Sequence, residues 1–151
     1  MLDILESLFG SKARVRMMRF FLLNPNKDFS AADIVERNKL NKVDVRKELN
    51  LFEKIKLVTS SKKKRVKHYR INKEFVFYNE LEKLISISSI SPECGSMKKV
   101  NGVGSVKLAL VSGIFVNYPK SRLDFLLVAD NVSRIKLKRL IENLEAEIGR
   151  D

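Results

Sequence analysis

Residues 41–72 read NKVDVRKELNLFEKIKLVTSSKKKRVKHYRIN, and this stretch decides how the chain is understood. Val45, Leu49 and Phe52 recur at the spacing of one helical face, so residues 41–54 predict an amphipathic helix with a single buried stripe. Asn41 is a good N-cap, and Asp44 stands at the N3 position behind it. Leu57-Val58-Thr59 then reads as a strand, Ser60 to Arg65 as a hairpin tip, and Val66 to Ile71 as the returning strand. An amphipathic helix therefore runs into a short, very basic hairpin.

The segment before it supplies more helices. Leu2, Ile4, Leu5, Leu8 and Phe9 are spaced for a helix that Gly10 interrupts. Ser11 caps the next helix, whose inward positions include Val15, Met18, Phe21 and Leu22, and Asn24-Pro25-Asn26 stops it. Ser30, with Asp33 three residues on, opens a short helix that turns Ala31, Ile34 and Val35 inward. Arg37 to Leu40 forms the turn into the helix at 41–54. After the hairpin, Asn72-Lys73-Glu74 turns into a helix from about Val76 to Ile87, with Leu81, Leu84 and Ile85 apolar.

Composition separates the two halves. The chain has 151 residues, enough for one ordinary domain or two small ones, and 44% of them are hydrophobic, enough for a packed core. Net charge is +12, but residues 1–85 carry 20 Lys+Arg against 11 Asp+Glu, and residues 86–151 carry 10 against 7. The field that would attract a polyanion lies mostly in the first half. Ser86 to Gly104 is rich in Ser, Gly and Pro and reads as a linker with one turn of structure. Val106 to Val116, VKLALVSGIFV, is nearly continuously apolar, like a buried strand, and Leu123 to Val128, LDFLLV, repeats the pattern. A final helix starts at Asn131 or Ser133 and carries Ile135, Leu137, Leu140, Ile141 and Leu144.

The domains expected are 1–87, a linker at 88–104, and a small α/β unit of two strands and a helix at 105–151; the fold class is α+β. Two strands and a helix are few for independent stability, so this unit is expected to be a fragment or to need a partner surface.

Other function classes leave little trace. The single cysteine, Cys94, permits no intrachain disulfide and reads as a small linker residue in a reducing cytosol. No apolar run approaches the ~20 residues of a membrane span, and MLDILESLF lacks the basic start and apolar core of a signal peptide. The expected location is cytoplasmic, with no membrane partner. His68, the one histidine, has no metal-ligand companions in the sequence. No cofactor and no metal site are expected.

The helix and hairpin suit nucleic acid. With Val45, Leu49 and Phe52 inward, Lys42, Val43, Arg46, Lys47 and Asn50 occupy the outer faces. Arg46 or Lys47 can donate to guanine O6 and N7, Asn50 can pair bidentately with adenine, and Val43 can touch a thymine methyl. Spacing alone leaves open which of the five enter the groove. Lys62, Lys63, Lys64, Arg65 and Lys67 on the hairpin suit phosphate contact, which adds affinity with little sequence information. Lys12, Arg14, Arg16 and the helix N-terminus at Ser30 are weaker candidates for flanking phosphates. A basic hairpin or a charged helix alone is commonly just solvated surface. The order helix, turn, helix, basic hairpin is what favours double-stranded DNA, with the recognition helix 41–54 in the major groove and a basic wing at 60–68 on the backbone.

At LFGSKARVRMMRFFLLNP (Leu8–Pro25), VRKELNLFEKIKLV (Val45–Val58) and KHYRINKEFVFYNELEKLI (Lys67–Ile85), the chain resembles prokaryotic winged helix-turn-helix transcriptional regulators. More narrowly, it resembles those in which that domain precedes a nucleotidyltransferase-like domain. Lys56 departs from the pattern, which usually has glycine before Leu57-Val58. The second half, LVSGIFVNYPKSRLDFLLVAD, is similar in layout to a minimal nucleotidyltransferase. Ser112-Gly113 stands where that family has Gly-Ser, and Ser121-Arg122-Leu123-Asp124 where it has Ser-Asp-x-Asp. Only Asp124 of the metal-holding aspartate pair is present, and the chain ends at Glu147–Asp151, before the strand that carries the family's third carboxylate. The resemblance therefore implies a degenerate, truncated domain that is not an enzyme. It further implies a sequence-specific regulator of transcription. The small two-strand unit and the apolar helix Val76–Ile87 lead us to expect a homodimer, with a possible protein partner for the C-terminal unit. The alternatives are an active nucleotidyltransferase and an antitoxin-like protein-interaction module.

Overall fold

The computed structural model describes residues 4–88, 96–116, 118 and 120–149. The chain is of α+β type and divides into two compact units, Met1–Ile85 with Gly149–Asp151, and Ser86–Ile148. Cys94 and the rest of 89–95, within the stretch expected as a linker, lie outside the described residues.

In the first unit the elements are α1 (Ile4–Phe9), α2 (Lys12–Leu23), β1 (Phe29–Ser30), α3 (Ala31–Asn38), α4 (Lys42–Lys54), β2 (Val58–Lys63), β3 (Val66–Ile71) and α5 (Tyr78–Ile87). α2, α3 and α4 each start after a capping residue. Ser11 Oγ accepts from the Arg14 amide at 3.2 Å, Ser30 and Asp33 form a reciprocal capping box, and Asn41 Oδ1 accepts from the Asp44 amide at 2.8 Å. The core holds Met17, Phe21 and Leu22 of α2, Ile34 of α3, and Val45, Leu49 and Phe52 of α4, with Leu57, Val58 and Ile71 from the hairpin. The α4 stripe expected from spacing is the stripe that is buried.

Helices α3 and α4 end in the same way. Lys39 (φ 50°) and Lys56 (φ 63°) are left-handed. The amides of Lys56 and Leu57 donate to Glu53 O and Phe52 O at 3.0 and 2.8 Å, which is the Schellman pattern. Lys56, which departs from the glycine that the resemblance leads one to expect, thus has the backbone that favours glycine.

Several expectations change. Ala31 is exposed although its spacing puts it on the face of Ile34 and Val35: it is the first residue of α3, at the end of that stripe. β1 lacks a signal of its own in the sequence; two residues long, it pairs antiparallel with β3 in a sheet of order β1-β3-β2. The hairpin tip is not Ser60–Arg65: β2 continues through Lys63, and the turn is Lys64-Arg65 alone, with φ of 48° and 66°. Two left-handed residues match the right-handed twist of the flanking strands, so the ladder persists to the tip. α5 begins at Tyr78 rather than Val76.

In the second unit a 3₁₀ helix (Met97–Gly102), β4 (Ser105–Val111), a second 3₁₀ helix (Gly113–Val116), β5 (Phe125–Asp130) and α6 (Arg134–Ile148) follow. β4 and β5 are antiparallel and pair only with each other. The unit's core is Val100, Val103, Phe115, Leu140, Leu144 and Ile148, so the 3₁₀ segment inside the expected linker adds to packing. Val106–Val116 is not one buried strand. It breaks after Val111, and Leu108 and Leu110 face outward, directly across from Val128 and Leu126, all four exposed. With one helical layer against a two-stranded sheet, only one sheet face is covered. β5 is shifted two residues beyond the expected 123–128, and Ile135 and Ile141 of α6 are exposed while Leu140 and Leu144 are buried.

Candidate nucleic-acid interface

α4 turns one face to the core and the other to solvent. Val45, Leu49 and Phe52 are buried, and Glu48 beside them is 2% exposed. At about 100° per residue, Arg46, Lys47, Asn50 and Val43 fall on the opposite arc. Lys42, Val43, Arg46, Lys47 and Asn50 are all exposed, and Val43 at 76% is an apolar residue with no packing role in the unit. Helix propensity alone does not call for a β-branched residue in the exposed first turn of a helix. Each of the five residues therefore stands where a partner could reach it, and the burial of α4 dictates this arrangement.

The hairpin continues from that helix. Val58, Ser60 and Lys62 share a sheet face with Lys67, Tyr69 and Ile71, as the cross-strand register Ser60↔Tyr69 and Lys62↔Lys67 requires. On this face Glu53, from the last turn of α4, accepts from Ser60 Oγ at 2.6 Å and from Lys67 Nζ at 2.8 Å. Lys67 also lies 5.1 Å from the Tyr69 ring centroid. Burial pushes the Glu53 pKa up, but the hydrogen bonds from Lys67 and Ser60 outweigh it and hold the carboxyl below its usual range. The same bond to Glu53 raises the Lys67 pKa.

On the opposite sheet face, Asp28 sits just before β1 and binds both Arg70 Nε, at 2.5 Å, and Lys63 Nζ. The hydrogen bond from Arg70, then that from Lys63, lowers the Asp28 pKa.

The five hairpin cations picked out in the sequence are thus of two kinds. Lys63 and Lys67 are engaged by Asp28 and Glu53. Lys62, Lys64 and Arg65 are exposed and have no ion-pair partner among the described residues. Lys64 and Arg65 also form the left-handed turn, a backbone more readily adopted by Asn-Gly.

The weaker candidates are corrected. Arg14 does not project toward a ligand: its guanidinium binds Glu48 Oε2 at 2.9 Å and the Phe9 carbonyl at 2.8 Å. Arg16 Nη1 binds the carbonyl of Asn38 at 3.1 Å. Of that group only Lys12 is exposed. The sequence reading missed Asp28, Glu48 and Glu53. Asp28 gains its role only through the β1–β3 register, and Glu53 only because the hairpin folds back on α4; neither leaves a local pattern.

Among the described residues, no group of three His, Cys, Asp or Glu side chains is placed to hold a metal ion, and no helix is long and apolar enough to cross a membrane. In the second unit, Ser112 Oγ and Ser121 Oγ lie 3.2 Å apart, and the Ser112 amide donates to the Asp124 carbonyl at 2.8 Å. Comparison with protein-family models, with curated proteins and with solved structures finds no match.

Proposed function

We propose that the chain is a sequence-specific double-stranded DNA-binding regulator of transcription, with a winged helix-turn-helix in its first unit. In this reading α3 and α4 are the helix-turn-helix, α4 enters the major groove, and the β2–β3 hairpin is the wing. One observation carries it: Lys42, Val43, Arg46, Lys47 and Asn50 all stand on the solvent face of α4, and the hairpin cations continue from the same helix through the Glu53–Lys67 bond. The residue types on that face are those that read base edges, and the hairpin residues are those that bind phosphate. The strained backbone at Lys64-Arg65 supports the same role, since two long cations are kept where Asn-Gly would be easier.

The second unit is read as non-catalytic, with Asp124 beside Arg122 instead of an aspartate pair. Its role is dimerisation, and the exposed apolar face of Leu108, Leu110, Leu126 and Val128 supports that assignment. A homodimer would place two copies of α4 on two half-sites. A mass in solution of one 17.4 kDa chain at micromolar concentration would remove the dimer.

The test is selection of bound duplexes from a random pool at moderate and high salt. The expected result is an enriched motif that survives higher salt. Absence of duplex binding at low salt would overturn the proposal. Transfer of label from a nucleoside triphosphate, abolished by Asp124→Ala, would replace it with an enzymatic one.

A further inference from the structure

Glu48 is a carboxylate buried in α4, the helix whose outer face is the candidate reading surface. Its side chain is 3% exposed and meets Arg14 of α2, which is 29% exposed. Arg14 Nε donates to Oε2 at 2.9 Å and Nη2 to Oε1 at 3.4 Å; Ser11 Oγ donates to Oε1 at 3.2 Å. Arg14 Nη1 is held in turn by the Phe9 carbonyl at 2.8 Å. The carboxylate thus accepts three hydrogen bonds from two side chains at the α1–α2 corner.

We infer that the Arg14–Glu48 pair is a positioning device that sets the rotation of α4 about its axis, and so determines specificity rather than stability. The inference rests on α4 being the reading helix. The rest of the α4 contact is apolar: Val45, Leu49 and Phe52 pack well, but burial of this kind is non-directional. A forked pair is directional. Glu48 lies at the edge of the buried stripe, where rotation of the helix would move it most directly out of register with Arg14. A turn of about 20° shifts a side-chain tip some 6 Å from the axis by roughly 2 Å, enough to break a bidentate contact to a base. Buried ion pairs contribute little net stability compared with apolar replacements of similar volume, yet in some proteins they select one arrangement among several.

The experiment replaces the pair with Arg14→Met together with Glu48→Leu, which leaves no unpaired buried charge. The Ser11 cap on the residue-14 amide is retained. Thermal unfolding and binding to the selected duplex and to random duplex are measured side by side. The expected result is a folded protein with random-duplex affinity within about twofold of the parent. Its ratio of selected-duplex to random-duplex affinity should fall about tenfold or more, the scale of one lost bidentate contact. An unchanged ratio overturns the inference. So does a parallel loss on both duplexes, or a variant that does not fold, because either makes the pair an ordinary stability element. A parent chain with no preference among duplexes would instead overturn the DNA-binding reading itself.

Discussion

Lys67 Nζ lies 2.8 Å from Glu53 Oε2, and this contact ties the returning strand of the hairpin to the last turn of α4. Its consequence is a division of labour among the hairpin cations. Lys63 and Lys67 are held by carboxylates of the same chain, and, among the described residues, Lys62, Lys64 and Arg65 are not. A phosphate competing for Lys67 would have to displace Glu53, whereas one approaching Lys62, Lys64 or Arg65 displaces only water and counterions.

Replacing Lys64-Arg65 with Asn-Gly should therefore move stability and binding in opposite directions. The new pair fits the left-handed turn and should raise the unfolding midpoint, by roughly 1 kcal/mol or more of stability. The same change removes two charges that the proposed function puts on phosphates, so the slope of log K against log salt should flatten by about 2. Denaturation and a salt titration with one duplex check both, and unaltered salt dependence would show that the tip does not touch DNA.

Arg46→Ala should act differently. It should lower affinity for the selected duplex by about 1–3 kcal/mol while leaving random duplex nearly unaffected, because a base contact discriminates and a phosphate contact does not. Equal loss on both duplexes would assign Arg46 to the backbone.

Lys56→Gly should stabilise the first unit by up to about 1 kcal/mol. The left-handed backbone at φ 63° costs a lysine more than a glycine, and the two hydrogen bonds that end α4 do not involve the side chain. A urea midpoint lower than the parent's would mean that Lys56 makes a contact beyond its backbone role.

Acid should weaken the Asp28 clamp. The folded-state pKa of Asp28 is lowered, first by the Arg70 hydrogen bond and then by Lys63, so its contribution is complete above the ordinary aspartate value, about 3.9, and is lost as pH falls through the folded value. Asp28→Asn should accordingly be less stable than the parent at pH 7, and the gap should begin to close only as pH falls below about 4. Lys67 gives the alkaline counterpart. Its pKa is raised by Glu53, so that bond contributes fully below about 10.4 and is lost as pH rises past the folded value. A gap between Asp28→Asn and parent that stays constant from pH 7 to pH 3 would dissociate Asp28 from the hairpin.

Much of the first unit is legible in the sequence because its signals are local. Ser11, Ser30 and Asn41 cap the helices they precede, and the 3.6-residue spacing of Val45, Leu49 and Phe52 identifies the buried face of α4, hence the exposed one with Arg46 and Asn50. The second unit was harder to read because an apolar run does not say how many of its faces are covered. Leu108 and Leu110 look like core residues in the sequence, yet with a single helical layer over β4 and β5 they face outward.

Periodicity and capping, which act over three or four residues, determined which side chains α4 turns to solvent. Only the tertiary structure decided what those side chains are free to do. It brought Asp28 opposite Arg70, folded Lys67 onto Glu53 and buried Glu48 against Arg14. Those pairs span 14 to 42 positions, and an ion pair forms only when folding has already paid the entropy of bringing its two ends together.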